Sequence, residues 1–130
     1  MKATANPPPP PLHELEAEVM EEVWRRERAT VREVLEALNE GPKQRAYTTV
    51  MTIMGRLHRK GVLRRTRTGK TDVYSPVMRR AEYLDARARG EIEAMVEQYG
   101  DLALAQFKSR VDELDPERLR RLEDLASGGG

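Results

Sequence analysis

A chain of 130 residues, 38% hydrophobic and only 5% aromatic, has material for one compact domain plus a helical arm and excludes a single large core. It has no cysteine, which excludes disulfide scaffolds, thiol catalysis and cysteine-based zinc sites, and its formal net charge is only +1. No stretch approaches the ~18 apolar residues of a membrane span, and residues 2–11, KATANPPPPP, lack the apolar centre of a signal peptide; neither membrane insertion nor secretion is expected, and the location is read as cytoplasmic.

Residues 1–11 read as a Pro-rich tail, disordered or extended. A first helix is expected from about His13 to Arg26, because Leu12, Leu15, Val19 and Val23 share one stripe that Met20 and Trp24 widen. Trp24 extends that apolar face and is read as core rather than as a ligand-binding ring. Thr30 opens a second helix with a capping box, T-V-R-E, in which threonine and Glu33 exchange bonds with each other's backbone amides. Val31, Val34, Leu35 and Leu38 give it a buried face, and Asn39, Gly41 and Pro42 end it.

A third helix is predicted from about Thr48 to Lys60, capped by either Thr48 or Thr49 and stopped by Gly61. Val50, Ile53, Met54 and Leu57 form its buried stripe, while Thr48 or Thr49, Thr52, Gly55, Arg56 and Arg59 occupy the opposite face. Two β-prone runs follow, Val62 to Arg67 and Thr71 to Ser75, around a turn at Thr68-Gly69-Lys70. Beyond Pro76 the chain returns to helix. Tyr83, Leu84, Ala88, Ile92, Met95, Val96 and Tyr99 suggest one helix, interrupted or bent near Gly90 or Gly100. Leu104, Phe107, Val111 and Leu114 line the next, and Asp115-Pro116 caps a short last helix carrying Leu119, Leu122 and Leu125.

The fold expected is mainly α with a small β-hairpin wing: a winged helix-turn-helix domain over 12–77 and a C-terminal helical dimerisation region over 78–126, ending in a flexible 127–130 tail. About 50 C-terminal residues cannot bury these stripes against themselves, so a homodimer interface is read at Leu84, Ile92, Met95, Tyr99, Leu104, Phe107, Val111, Leu114, Leu119 and Leu122.

The small net charge conceals a sharp segregation. Through Glu40 there are 5 basic and 9 acidic residues; from Gly41 to Thr71 there are 9 basic and none acidic; from Asp72 onward there are 9 basic and 13 acidic. Lys43, Arg45, Arg56, Arg59, Lys60, Arg64, Arg65, Arg67 and Lys70 make the middle window a localised cationic patch, as phosphate binding requires. A catalytic reading finds no inventory. The two histidines, His13 and His58, have no metal-ligand spacing, the acids pair with nearby arginines as Glu22 does with Arg25 and Arg26, and no glycine-rich phosphate loop is present. No enzyme activity, cofactor or metal is expected.

A basic helix followed directly by a basic hairpin is the layout of a winged helix. Its third helix would enter a major groove about 12 Å wide. Thr49 and Thr52 can bond base edges or touch a thymine methyl, Arg56 can reach guanine or phosphate, and Gly55 would allow close backbone approach to DNA or to the first helix. In the hairpin, Arg65, Arg67 and Lys70 would meet phosphates or the minor groove, with Arg64 on the other face.

The segments LHELEAEVMEEVW, TVREVLEAL and YTTVMTIMGRLHRKGVLRRTRTGKTDVYSP resemble the penicillinase-repressor (BlaI/MecI) family of winged-helix regulators. The run Y-T-T-V-x-T-x-x-x-R-L-x-x-K-G, Tyr47 to Gly61, matches at every fixed position; the likeness is close over 12–77 and looser over 79–126. It implies a repressor dimer without a cofactor, whose winged helices each read half of a dyad operator and whose C-terminal helices join the subunits. It also implies a regulatory protease as a partner that ends repression. Carried over, Tyr47, Thr48, Thr49, Thr52 and Arg56 fall on the recognition helix and Arg65, Arg67 and Lys70 in the wing. Three departures stand out. His13 replaces the usual threonine of the first helix, Asp72 stands where an aromatic is commoner, and Gln106-Phe107 is the nearest match to an Asn-Phe cut site. The absence of cysteine excludes the copper-sensing route of one branch.

The leading expectation is a sequence-specific repressor acting as a homodimer on double-stranded operator DNA. The alternatives are a ligand-gated winged-helix regulator and a winged helix serving as a protein-interaction module. The first needs a polar-lined apolar pocket in the C-terminal half, and the second an apolar recognition face.

Overall fold

The computed structural model describes residues 7–128; residues 1–6 and 129–130, parts of the two expected tails, lie outside the described residues. Six helices and one hairpin follow in the order α1 (Glu14–Arg26), α2 (Val31–Leu38), α3 (Tyr47–Arg59), β1 (Leu63–Thr68), β2 (Thr71–Pro76), α4 (Arg80–Tyr99), α5 (Asp101–Asp112) and α6 (Pro116–Ala126). This is the mainly α architecture with a small antiparallel wing that the periodicities imply. Contacts divide the chain into two units, Met1–Arg89 and Gly90–Gly130, with the division falling inside α4. Among the described residues, no helix is long and apolar enough to cross a membrane.

The first unit encloses a core of Val19, Met20 and Val23 from α1, Val31 and Val34 from α2, Val50, Ile53, Met54 and Leu57 from α3, and Val62, Leu63 and Tyr74 from the hairpin region. Leu12, Leu15, Trp24, Leu35 and Leu38 flank it, half-buried. These are the apolar stripes of the sequence, closed on one another. The capping box forms as expected: the Glu33 amide donates to Thr30 Oγ1 at 3.1 Å and the Thr30 amide to Glu33 Oε1 at 2.9 Å.

At the start of α1, His13 occupies the N-cap position, and its amide donates to Glu16 Oε1 at 2.9 Å. Glu16 is completely buried, and Lys60 just past α3 places its ammonium 3.1 and 2.9 Å from the two carboxylate oxygens. Burial raises the Glu16 pKa, but the His13 amide and the Lys60 ammonium more than offset it, so the carboxyl sits below its ordinary 4.5. This pair ties the beginning of α1 to the end of α3.

The hairpin register pairs Leu63 with Pro76, Arg65 with Tyr74, Arg67 with Asp72 and Thr68 with Thr71, which leaves a two-residue turn of Gly69-Lys70. Gly69 takes φ +64 at the first turn position, which suits a type II′ hairpin turn. Ala29, between α1 and α2, adds one further rung: its N–H donates to the Tyr74 carbonyl and its carbonyl accepts from the Tyr74 N–H, both at 2.8 Å. A single-residue rung has no pattern of its own and the sequence does not announce it.

The expected long helix runs through Gly90 without a break and ends at Tyr99, where Gly100 turns the chain with φ +62. Asp115 caps α6 by accepting from the Arg118 amide at 2.8 Å, with Pro116 in the first turn. In the second unit Ala103 alone is buried among the described residues.

Candidate nucleic-acid interface

The α2–α3 connection is built around one amide side chain. Asn39 Oδ1 accepts from the Arg45 amide at 2.7 Å, and Asn39 Nδ2 donates to the Arg45 carbonyl at 3.1 Å. The Gln44 side chain returns to the Asn39 carbonyl at 2.9 Å, and Arg45 reaches Glu18 of α1 at 3.3 Å. The residue that ends α2 therefore also fixes where α3 begins. That beginning differs from the sequence expectation. Ala46 is the N-cap, without a side-chain bond, and Tyr47 is the first helical residue. Thr48 and Thr49 lie inside the first turn, exposed, so neither hydroxyl serves as the cap.

Because Val50, Ile53, Met54 and Leu57 point into the core, the 3.6-residue period turns Thr48, Thr49, Thr52, Arg56 and Arg59 outward, and all five are exposed. A methyl added at Gly55 would meet only the Arg59 guanidinium, at an ordinary 3.7 Å. Packing against the first helix therefore does not require this glycine. Gly61, at φ +82, supplies the left-handed stop.

A groove of about 470 Å³ opens between the start of α2, the start of α3 and the wing tip, lined by Thr30, Arg32, Tyr47, Met51, Lys70 and Asp72 among others. It brings together Tyr47 and Lys70, two of the expected contacts, and adds Arg32 and Met51, which the sequence reading missed. Arg32 lies over the Tyr47 ring, 5.4 Å from its centroid, and Met51 is exposed on α3. Arg32 could have been found as the outward position of α2 one residue past the buried Val31. Met51 could have been found as an apolar residue off the buried stripe.

In the wing, strand alternation puts Arg65 and Arg67 on the face of Leu63 and Tyr74, with Arg64 on the opposite face. All three arginines are exposed, as is Lys70 at the turn. Arg67 meets its cross-strand partner Asp72 at 3.2 Å. That pair is largely solvated and holds Arg67 by no more than about 1 kcal/mol, so a phosphate could replace Asp72.

The cationic window thus splits by role. Arg45 and Lys60 are engaged with Glu18 and Glu16 of α1, and Arg67 with Asp72. Among the described residues no ion pair engages Lys43, Arg56, Arg59, Arg64, Arg65 or Lys70. Six like charges that no acid pairs with, distributed over the helix, the loop before it and the hairpin after it, give this stretch of the chain a polyanion as its natural counter-ion.

The residues expected at a subunit interface lie apart from this surface in sequence. Leu84 is exposed in the first unit; in the second, Ile92, Met95, Tyr99, Leu104 and Leu122 are exposed, and Phe107, Val111, Leu114 and Leu119 are half-buried. Leu102 and Leu125, omitted from that set, are the most exposed large apolar side chains, at 72% and 68%. The spacing Met95, Tyr99, Leu102, Gln106 carries the signal for Leu102, and these four with Ala103 and Phe107 line a hollow of about 230 Å³.

The penicillinase-repressor family model matches residues 12–127. Two relatives, the transcriptional regulator BlaI of Mycobacterium tuberculosis strains CDC 1551 and H37Rv, are each 39% identical over 123 residues, covering 92% of this chain and 88% of theirs. The solution structure of the DNA binding domain of the repressor BlaI superposes with a TM-score of 0.51 at 27% identity, covering 60% of this chain and 94% of that one. Buried stripe, exposed threonine and arginine face, wing and family match agree: the chain belongs to the penicillinase-repressor family, whose members are transcriptional repressors rather than enzymes.

Proposed function

We propose that this protein represses transcription by binding duplex DNA as a homodimer, each winged helix reading one half of a dyad operator. The observation that carries the reading is the outward face of α3, where Thr48, Thr49, Thr52 and Arg56 stand exposed and Arg56 is one of six window cations that no acid neutralises. In this reading Thr49, Thr52 and Arg56 contact base edges. Arg59, Arg65, Lys70 and Arg67, the last after leaving Asp72, contact phosphates and fix the register. Tyr47, held under Arg32, braces the start of the helix. A polar face of this kind disfavours the protein-interaction alternative, which calls for an apolar one.

The homodimer is supported by the second unit, which leaves Ile92, Met95, Tyr99, Leu102, Leu104, Leu122 and Leu125 exposed. A matching surface on a second copy covers such a patch most economically. The hollow beside Met95 and Phe107 offers one amide, Gln106, and suits apolar side chains of a partner subunit better than a polar effector. A regulatory protease is a further candidate partner. Gln106 and Phe107 both lie inside α5, so cleavage between them requires that helix to unwind locally. A cytoplasmic location accords with a chromosomal target.

Selection from a random duplex pool tests the reading. It should enrich a dyad with half-sites about one helical turn apart, or a multiple of that. Arg56→Ala should then weaken binding to the selected site by about 1–3 kcal/mol while leaving the unfolding midpoint unchanged. A pool that enriches no motif overturns sequence-specific repression.

A further inference from the structure

The five consecutive prolines, Pro7–Pro11, belong to no helix or strand, yet the middle of the run is engaged. Tyr83 Oη donates to the Pro10 carbonyl at 2.5 Å, and Arg87 donates to the Pro9 carbonyl at 3.1 Å. Pro9 and Pro10 are half-buried, while Pro7, Pro8 and Pro11 are exposed. Pro9 closes one side of an apolar cleft of about 40 Å³ walled by Trp24, Val62, Val77, Met78 and Tyr83. The two aromatic walls are locked to each other and to the backbone. Their ring centroids are 5.4 Å apart at 47°, and the Trp24 indole N–H donates to the Met78 carbonyl at 2.9 Å.

These features match the physics by which proline-rich ligands are recognised. A proline run is confined to an extended left-handed helix with no internal hydrogen bonds, so its carbonyls are available to outside donors and little entropy is lost on docking. The receptor for such a segment is an aromatic-lined groove with a few side-chain donors. Here Trp24 and Tyr83 supply the aromatic walls, and Tyr83 and Arg87 supply the donors one turn apart on α4. We infer that the Trp24–Tyr83 cleft is a polyproline-II receptor, occupied in cis by Pro9 and Pro10 at the middle of the Pro7–Pro11 run. The segment straps α1 to the first turns of α4. None of the cleft's residues is among the candidate DNA contacts, so this inference stands independently of the operator reading.

Trp24 is the chain's only tryptophan and reports on the cleft directly. The full chain carrying Pro9→Gly and Pro10→Gly keeps its length but loses the preformed helix. Its Trp24 emission should shift to the red and become more accessible to acrylamide, with far-ultraviolet circular dichroism unchanged. A synthetic peptide of residues 2–11 should then restore protection saturably, and the same peptide with alanine for proline should not. Adding Tyr83→Phe, which keeps the ring against Trp24, should weaken peptide binding about fivefold, the loss of one hydrogen bond. Tyr83→Phe alone, with the tail intact, should raise quenching by a smaller factor than the double glycine variant. Equal quenching in the parent and the double glycine chain overturns the inference, as does equal protection by the alanine peptide. Protection that grows with protein concentration means a second copy supplies the segment, and overturns seating in cis.

Discussion

The two units of this chain spend their apolar residues in opposite ways. In Met1–Arg89, valines, methionines and leucines from three helices and a hairpin close on one another, and even a carboxylate is buried because an ammonium meets it. In Gly90–Gly130 the helices are as well formed, with a capped α6 and a glycine turn at Gly100, yet Leu102 and Leu125 stand in solvent and Ala103 alone is buried among the described residues. Helical periodicity is thus common to both, but only the first unit has enough elements to satisfy it internally. A stripe without an inward partner marks a surface meant for another molecule, here by proposal a second copy.

Substitutions can break or sharpen that contrast. The largest effect is expected in the closed core. Leu57→Ala removes a fully buried side chain and should cost about 3 kcal/mol in urea unfolding, whereas a cost below about 1 kcal/mol would mean that the core is loosely packed. Next, Lys60→Met strands Glu16 and should cost about 2–3 kcal/mol at neutral pH. The sign of the pH dependence follows from the lowered Glu16 pKa. The pair's contribution is fully present above the ordinary 4.5 and is lost as pH falls through the lower folded value, so acid titration should narrow the gap between parent and variant. Thr30→Ala removes one half of a capping box and should cost about 1 kcal/mol. At the far end of the scale, Leu102→Ala should change the unfolding free energy of the monomer by less than about 0.5 kcal/mol. Sedimentation equilibrium should nevertheless show weakened self-association. Unchanged association would remove Leu102 from the interface.

What was legible in the sequence was whatever is written locally. The Thr30 to Glu33 box, the Val50 to Leu57 stripe, the Gly61 stop and the Gly69 turn each rest on residues within one or two helical turns of each other, and each forms. What was not legible depends on distant partners. Lys60 looked like one more cation in an acid-free window, and only the fold brings it to Glu16, 44 residues away. Asn39 looked like a helix terminator, and its second task of holding Arg45 appears only when the loop closes. The cap of α3 was misplaced for the same reason. With Arg45 pinned by Asn39, the helix starts one residue before the threonines that local preference would have chosen. At the candidate interface, the outward face of α3 follows from periodicity, whereas Arg32 joins it only through the packing of α2 beside Tyr47.

The engagement of Arg45, Lys60 and Arg67 sets a ceiling on how steeply ionic strength can govern operator affinity. If all nine window cations displaced counter-ions, log K would fall against log salt with a slope of about −8 per protomer. The six that no acid holds allow about −5, and Arg67, exchanged from Asp72 to a phosphate, adds less than a full unit, because one charge is uncovered as another is neutralised.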